Sequence, residues 1–420
     1  MKFAHLADAH LGYEQYHLPF RAEDFARSFK MTVERAIEED VDFAVMSGDL
    51  FHRSSPNPKT IKQAIDILSM FKRENIPVFA IEGNHDKTIK EVSIYDLLES
   101  LKLLHKLGLR RKFVKDEFVE SKKIGDVYLV YGKFGDLKIV GDTHRSSYHF
   151  KQLMESRYLP SGDIVVLHGS IKEIVDVEIK DDYIPMSLLP KAKYYALGHV
   201  HIPIAKEVNG SWYVYPGCPE RSDAKEYSLK LNYFESLEIV KGISKGFFIV
   251  KDFKPKFIDV QSRDMVLANV YAVDQKDAEV RVKEILNHVD SESILILKIF
   301  SERGIDVEGI MKLTEGKVKH VRISFERISK DRDIKFVKPN EFFTEFELSL
   351  FEYLRRSDFE DLIGIVINLV EKEFGLRDVK TIEDYSKLSK VERETAEVAQ
   401  PLKKEVKSKR PRTLLDFLEG

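Results

Sequence analysis

Histidine, aspartate and asparagine recur in this sequence at one kind of place, directly after a short apolar run. Six such runs punctuate the first half of the chain: Phe3–Ala7, Phe43–Met46, Val78–Ile81, Leu137–Val140, Ile164–Leu167 and Tyr194–Leu197. Five of them end in groups that can hold a metal or move a proton. These are Asp8-Ala9-His10, Gly48-Asp49 with His52 three residues on, Gly83-Asn84-His85-Asp86, His168-Gly169 and Gly198-His199-Val200-His201. Imidazole and carboxylate suit Mn, Fe or Zn, and the absence of thiolate argues against a structural zinc knot. Roughly seven ligands are too many for one catalytic ion and suit two that share a bridging carboxylate. Two ions about 3.5–4 Å apart can clamp the attacking and leaving oxygens of an in-line displacement at phosphorus. Gly48, Gly83 and Gly198 permit sharp turns and close approach of a phosphate. Each motif alone is ordinary; all five, in this order and each after an apolar run, are specific.

The sixth run is followed by Asp142 and His144, which mimic the first motif. Nothing else calls for them, and they read as loop residues. His5, inside the first run, reads as core or hydrogen-bonded, and the remaining histidines as surface.

Such residues can meet only if a fold brings the run ends together. Up to about residue 235 the apolar runs alternate with helix-like stretches at Ala22–Glu38, Lys59–Lys72 and Ser93–Leu104, the mark of a layered α/β fold. In open α/β sheets, ligands bind beyond the carboxyl ends of strands. Gly242-Ile-Ser-Lys-Gly246 is a loop signal, placing the first domain at 1–240 and a smaller α+β domain at 245–330. The second would carry strands at Phe247–Val250, Val266–Val273, Ile294–Ile299 and Val318–Ser324 around a helix at Asp277–His288. Over 340–375, Phe342, Phe346, Leu350 and Tyr353 fall at helical spacing. A capping box at Ser357–Glu360 then opens a second helix with Phe359, Leu362, Ile363, Val366 and Val370 on one face. This pair has more apolar surface than two helices bury in each other, so it docks on its own chain or on a partner. Residues 376–420 read as a charged flexible tail, with Lys403, Lys404, Lys407, Lys409, Arg410 and Arg412 before a Leu414, Leu415, Phe417, Leu418 plug.

Composition narrows the classes. The chain has 420 residues, 33% charged and 43% hydrophobic, a globular balance. Lys+Arg 67 against Asp+Glu 70 leaves a net charge of −3, so nucleic-acid binding would need local basic patches. A lone Cys218 excludes a disulfide framework. No apolar run spans a bilayer, and Met1-Lys2-Phe3 leads straight into a strand, leaving no room for a signal peptide. The expectation is a soluble, intracellular protein without membrane contact. No GxxxxGK[S/T] occurs, so any ATP handling falls to a partner.

The five motifs resemble the calcineurin-like metallophosphoesterase superfamily. Leu6–Tyr13, Gly48–His52, Ile81–Asp86, Tyr215–Arg221 and Gly246–Val250 are more closely similar to the archaeal DNA double-strand-break repair nucleases of the SbcD type. The resemblance is good to about residue 330 and departs at Ala9, where the family carries a branched aliphatic. It implies an α/β/β/α sandwich with a smaller α+β capping domain and a C-terminal helix pair. It implies one Mn²⁺ (Fe or Zn as alternatives) held by Asp8, His10, Asp49 and His201. A second would be held by Asp49, Asn84, His168 and His199. His85 would serve as transition-state acid and His52 would position the substrate strand; Asp86, next in the sequence and outside what the resemblance implies, is a candidate to orient His85. It further implies 3′→5′ exonuclease action on duplex DNA and endonuclease action on single strands. The partners it implies are a second copy of the chain and an SMC-like coiled-coil ABC ATPase of the SbcC type, together a heterotetramer. Matching the homodimer interface are Ile61, Ile65 and Leu68 with Leu98 and Leu101, although such stripes also cover sheets. Lys317, Lys319 and Arg322 are candidate DNA contacts. Phe342, Phe346, Leu350, Phe359, Leu362, Ile363 and Val366 are candidate contacts to the ATPase coiled coil. Thr413–Leu418 resembles part of a sliding-clamp docking motif, with Pro411 where Gln is usual.

Two rivals remain at this stage. One keeps the metals but acts on phosphoproteins or cyclic nucleotides; Gly48-Asp-Leu-Phe-His-Arg-Ser54 departs from the protein-phosphatase pattern. The other is a DNA-end scaffold that dimerises and holds an ATPase without cutting.

Overall fold

A computed structural model describes residues 1–88, 92–113, 115–155, 158–175 and 183–328. All lie in the first of two compact units, Met1–Val337 and Lys338–Gly420. The expected helix pair at 340–375 and tail at 376–420, with their ATPase and clamp contacts, fall outside the described residues.

Two sheets stack face to face. The first runs Lys254–Asp259, Gly246–Lys251, Lys2–Leu6, Phe43–Met46, Val78–Ala80, His105–Lys106. The second runs Ile204–Val208, Ser211–Tyr215, Tyr194–Gly198, Ile164–His168, Leu137–Gly141, Val127–Phe134, Gly108–Arg110, with Val119–Ile124 also on Val127–Phe134. Lys2–Leu6, Phe43–Met46 and Val78–Ala80 are parallel, as are Leu137–Gly141, Ile164–His168 and Tyr194–Gly198. Alternation sorts the side chains. Phe3, Phe43, Val45 and Phe79 meet Ile139, Ile164, Val166 and Tyr194 between the sheets. Ala4, Leu6, Ala44, Met46 and Ala80 face Phe29, Val33, Leu68, Phe71 and Leu98 of the helical layer. The outer face of the second sheet is covered by Phe150, Tyr158 and Leu159. This is the expected α/β/β/α order.

Local chemistry starts the helices. Asn57 caps Pro58–Arg73 through the Thr60 amide at 2.8 Å, with Pro58 at the first position. Ser93 and Asp96 form a capping box on Ile94–Ser100. These two helices decide part of the expected dimer face: Leu68 and Leu98 are fully buried against the first sheet and cannot serve an interface. Ile61 and Ile65 are half-buried, while Leu97 and Leu101 are 40% and 39% exposed.

The boundary expected between 240 and 245 is corrected by strand pairing. Leu229–Tyr233 and Leu237–Lys241 join a five-stranded sheet with Met265–Ala272, Ile294–Ser301 and His320–Arg327. Gly246–Lys251 returns to pair antiparallel with Lys2–Leu6, and Lys254–Asp259 pairs beyond it. The reason is two-sided burial. Phe247 and Ile249 face the helical layer, Phe248 and Val250 the inter-sheet core, and only a strand covered on both faces needs an unbroken apolar run. On the five-stranded sheet the expected helix is present as Gln275–Leu286, joined by Val307–Thr314, which the sequence reading missed.

The body and this sheet are pinned by buried charge. Arg21, fully buried, donates to Gln15 Oε1 (3.0 Å), Asp24 Oδ2 (2.7 Å), Glu220 Oε1 (3.2 Å) and the Arg221 carbonyl (2.8 Å). Glu220 also accepts from Ser28 Oγ at 2.7 Å and the Arg263 amide at 3.2 Å. Removing one partner of a buried pair leaves the other charge uncompensated. Glu220→Ala should therefore cost about 3–5 kcal/mol, read as a lowered midpoint in denaturant unfolding. An unchanged midpoint would show that Arg21 needs no carboxylate there.

Candidate active site

The five carboxyl-terminal strand ends meet. The Asp8 amide donates to Gly48 O (3.0 Å), His10 to Asp49 O (3.0 Å), and His199 to both Asp8 carboxylate oxygens (3.0 and 3.1 Å). His168 Nδ1–H donates to Ser47 O at 2.7 Å, linking the two sheets. Asp8, His10, Asp49 and His199 have φ of 53°, 44°, 51° and 91°, a region costly for any residue but glycine. A side chain at Gly83 would collide with the Asp49 carboxylate, and one at Gly198 with Ser47 O. The close approach expected of a phosphate is thus made by the site's own residues.

Asp49 sits at the centre. Its Oδ1 accepts from the His85 amide at 2.9 Å; Oδ2 lies 3.3 Å from His168 Nε2 and 3.7 Å from His10 Nε2. On one side His10 Nε2 is 3.1 Å from His201 Nε2. On the other, Asn84 Oδ1 is 2.9 Å from His168 Nε2 and 3.2 Å from His199 Nδ1. Asp8, Asp49 and His168 group together, as do Asp8, His10 and His201. His10 Nδ1 is buried with no hydrogen-bond partner.

Electrostatics divide the site into neutral imidazoles and a His168–Asp49 ion pair whose proton a cation would displace. Burial pushes His10 well below its usual range and His199 down to about 3, leaving neutral imidazoles. Burial works to raise Asp49, but the His168 charge beside it prevails and holds the carboxylate ionised. Burial would lower His168, yet Asp49 lifts it to about 9. Burial also raises Asp8 to about 6. Neutral imidazole nitrogens 3.1 Å apart cannot both accept. Donor atoms about 3 Å apart are what a shared ion with ligands at ~2.1 Å requires, so these residues fit divalent cations.

His85 and His52 stand together. His85 Nδ1–H donates to His52 O at 2.9 Å, leaving Nε2 for other use. His52 stacks on Tyr13 with ring centres 3.9 Å apart, and burial lowers it to about 4. Asp86 does not orient His85. Its carboxylate accepts from the Leu50, Phe51 and Gly83 amides and from Tyr95 Oη, tying the second and third loops together. A groove of about 360 Å³ opens beside His52, lined by Tyr13, Tyr16, His17, Arg53 and Asn57.

The expected seven ligand residues, with His52 and His85, are thus brought into one cluster. The DNA candidates are less uniform: Arg322 lies 4.4 Å over Tyr16, Lys319 pairs with Glu292 at 3.3 Å, and Lys317 is exposed. Asp142 is a buried structural acceptor for the Leu109 amide, Tyr158 Oη and Arg145. His144, dismissed with it, donates from Nδ1 to His168 O at 2.9 Å and lies beside His199. The signal was its position after a strand parallel to Ile164–His168. His5, as expected, is core, bonded to Tyr194 Oη and Ser47 Oγ.

Comparison with known proteins agrees with this geometry. Residues 1–203 match the calcineurin-like phosphoesterase family. The DNA double-strand break repair protein Mre11 of Archaeoglobus fulgidus is 41% identical over 100% of this chain and 99% of its own. Mre11 of Methanocaldococcus jannaschii is 29% identical over 64% of this chain and 69% of its own. Among solved structures, a conserved uncharacterized protein of Streptococcus pneumoniae, described as a predicted phosphoesterase, covers 61% of this chain and 88% of its own at 10% identity, with a TM-score of 0.25 too low to argue from. Full-length identity to one relative, a phosphoesterase domain and the clustered ligand residues together make this chain a member of the Mre11 family of DNA repair proteins, built on a calcineurin-like phosphoesterase fold.

Proposed function

We propose that the chain is a two-metal DNA nuclease that cuts duplex ends 3′→5′ and nicks single strands internally, working as a dimer. The observation that carries this reading is the spacing of donor atoms on both sides of Asp49. Asp8, His10, Asp49 and His201 would hold one cation; Asp49, Asn84, His168 and His199 the other. Oxygen and imidazole donors suit Mn²⁺, with Fe or Zn as alternatives. When bound, the pair would supply positive charge that activates water and offsets charge developing at phosphorus.

The chain's own groups do the rest. Asn84 contributes a neutral oxygen, leaving net positive charge to attract a phosphodiester. His85, its Nδ1 committed to His52 O, presents Nε2 to hydrogen-bond the phosphoryl oxygens or protonate the leaving group. Tyr13 fixes the His52 ring at the mouth of the groove, where both can pack against the sugar and base next to the scissile bond. Arg322, with Lys317 and Lys319, would meet phosphates farther along the strand. The ATPase contact through 340–375 and the clamp contact through the tail rest on sequence alone. Among the described residues no helix is long and apolar enough to cross a membrane.

His85→Ala should cut DNA about 10²–10⁴-fold more slowly with Mn²⁺ while still binding the metal by calorimetry. Parental cutting by that variant would sink the assigned role. Chelation should abolish cleavage of labelled DNA, and added Mn²⁺ should restore it. Preferential turnover of p-nitrophenyl phosphate or cyclic nucleotides over DNA would favour a different esterase. For the dimer, Ile61→Lys and Leu101→Lys should each halve the mass seen by light scattering without lowering the melting temperature. Leu68→Lys should instead unfold the chain, because it buries a charge. Retention of the doubled mass by both surface variants would place the interface elsewhere.

A further inference from the structure

His201 differs from the other site histidines in what holds it. His168 is anchored by a backbone carbonyl within the body, whereas His201 is anchored by side chains from the connections to the five-stranded sheet. Its Nδ1–H donates to Ser222 Oγ at 2.5 Å, and the Ser222 hydroxyl donates to Glu226 Oε1 at 2.7 Å. The Ser222 amide donates to Glu226 Oε2 at 3.0 Å, so the carboxylate grips this residue twice. Lys245 closes the loop: its ammonium pairs with Glu226 Oε2 and donates to the His201 carbonyl at 2.9 Å. Glu226 and Lys245 are 5% and 2% exposed.

The chain passes from the body to the five-stranded sheet between Tyr215 and Leu229, and returns between Lys241 and Gly246. Ser222 and Glu226 lie on the outward connection, Lys245 on the return. The two are laced together. Arg221 donates to the Glu226 carbonyl and to Ile243 O (2.8 Å), and Ser228 exchanges hydrogen bonds with Met265 at the start of the sheet's central strand. A buried Glu–Lys pair could fasten the connections by itself. Here a serine hydroxyl is interposed so that the same carboxylate also fixes which His201 nitrogen carries the proton. That leaves Nε2 with a lone pair facing His10 and Asp8.

We propose that Glu226, acting through Ser222, is a positioning residue for the His201 imidazole and couples metal occupancy there to the seating of the five-stranded sheet. The proposal rests on the reading that His201 holds a cation. The coupling is reciprocal: whatever orders the two connections favours the metal, and the metal orders the connections.

The test is calorimetric titration of Mn²⁺ into the metal-free full chain, alongside amide hydrogen exchange with and without Mn²⁺. In Ser222→Ala and Glu226→Gln, one of the parent's two sites should weaken about 10–100-fold while the other is unchanged. Ser222→Ala should melt with the parent when metal-free. Mn²⁺ should slow exchange over 222–228 and 242–246 in the parent and not in Ser222→Ala, a response that a purely structural ion pair would not give. Should Glu226→Gln fail to fold, Ser222→Ala decides alone. Parental affinity and parental exchange in Ser222→Ala overturn the proposal. A parent that takes up no Mn²⁺ overturns the metal-site reading itself, and its own titration distinguishes that failure.

Discussion

A single buried carboxylate organises this molecule's chemistry. Asp49 is 1% exposed, yet it stays ionised because the charged His168 imidazole lies 3.3 Å from it. Burial without such a neighbour would neutralise it. Its charge is felt by Asp86, which burial and then Asp49 raise to about 7. Asp86 tolerates that repulsion because three amides and a phenol donate to it, and those bonds hold the loop that carries Asn84 and His85. The two carboxylates divide the labour. One holds charge at the centre, and the other spends its hydrogen-bonding capacity on the backbone around it.

The fold makes this arrangement affordable. Left-handed backbone at Asp8, His10, Asp49 and His199 persists only where neighbouring structure over-determines it. Here the determinants are parallel strands whose interiors are buried on both faces, so their ends cannot drift. Glycine is required where loops from the two sheets nearly touch, at Gly83 against Asp49 and Gly198 against Ser47. Rigid strands thus deliver strained turns to one place, and the strain selects the side-chain directions.

What the sequence made legible follows from this. A strand covered on both sides reads as an unbroken apolar run, so the central strands and the ligand residues after them were visible. The same rule was available for Phe247–Val250, whose return to the first sheet a nearby loop signal concealed. Helical stripes showed that Leu68 and Leu98 face something apolar but not what, because a sheet and a second subunit ask for the same residues. His144 was visible but discounted because nothing else in the pattern called for it; in the fold its neighbour Asp142 turns toward Arg145 and Tyr158, and His144 alone reaches the site. Ser222, Glu226 and Lys245 left no signal, because their role depends on two connections meeting in space.

Those connections bear on what a domain means here. The five-stranded sheet meets the body through a small apolar seam, Met265, Ile294 and Ile296 against Tyr16 and Phe20. Charge pins it as well: Arg263 reaches Asp24 and Glu292, and its amide binds Glu220. Polar pins act differently from an apolar seam. They hold one geometry firmly and yield abruptly once a partner is lost, whereas apolar contact gives way in proportion to area. Because the strands Gly246–Lys251 and Lys254–Asp259 return to the first sheet after the chain has visited the five-stranded sheet, neither part can be cut away as a contiguous piece. The body thus completes its first sheet with chain that has already passed through the five-stranded sheet.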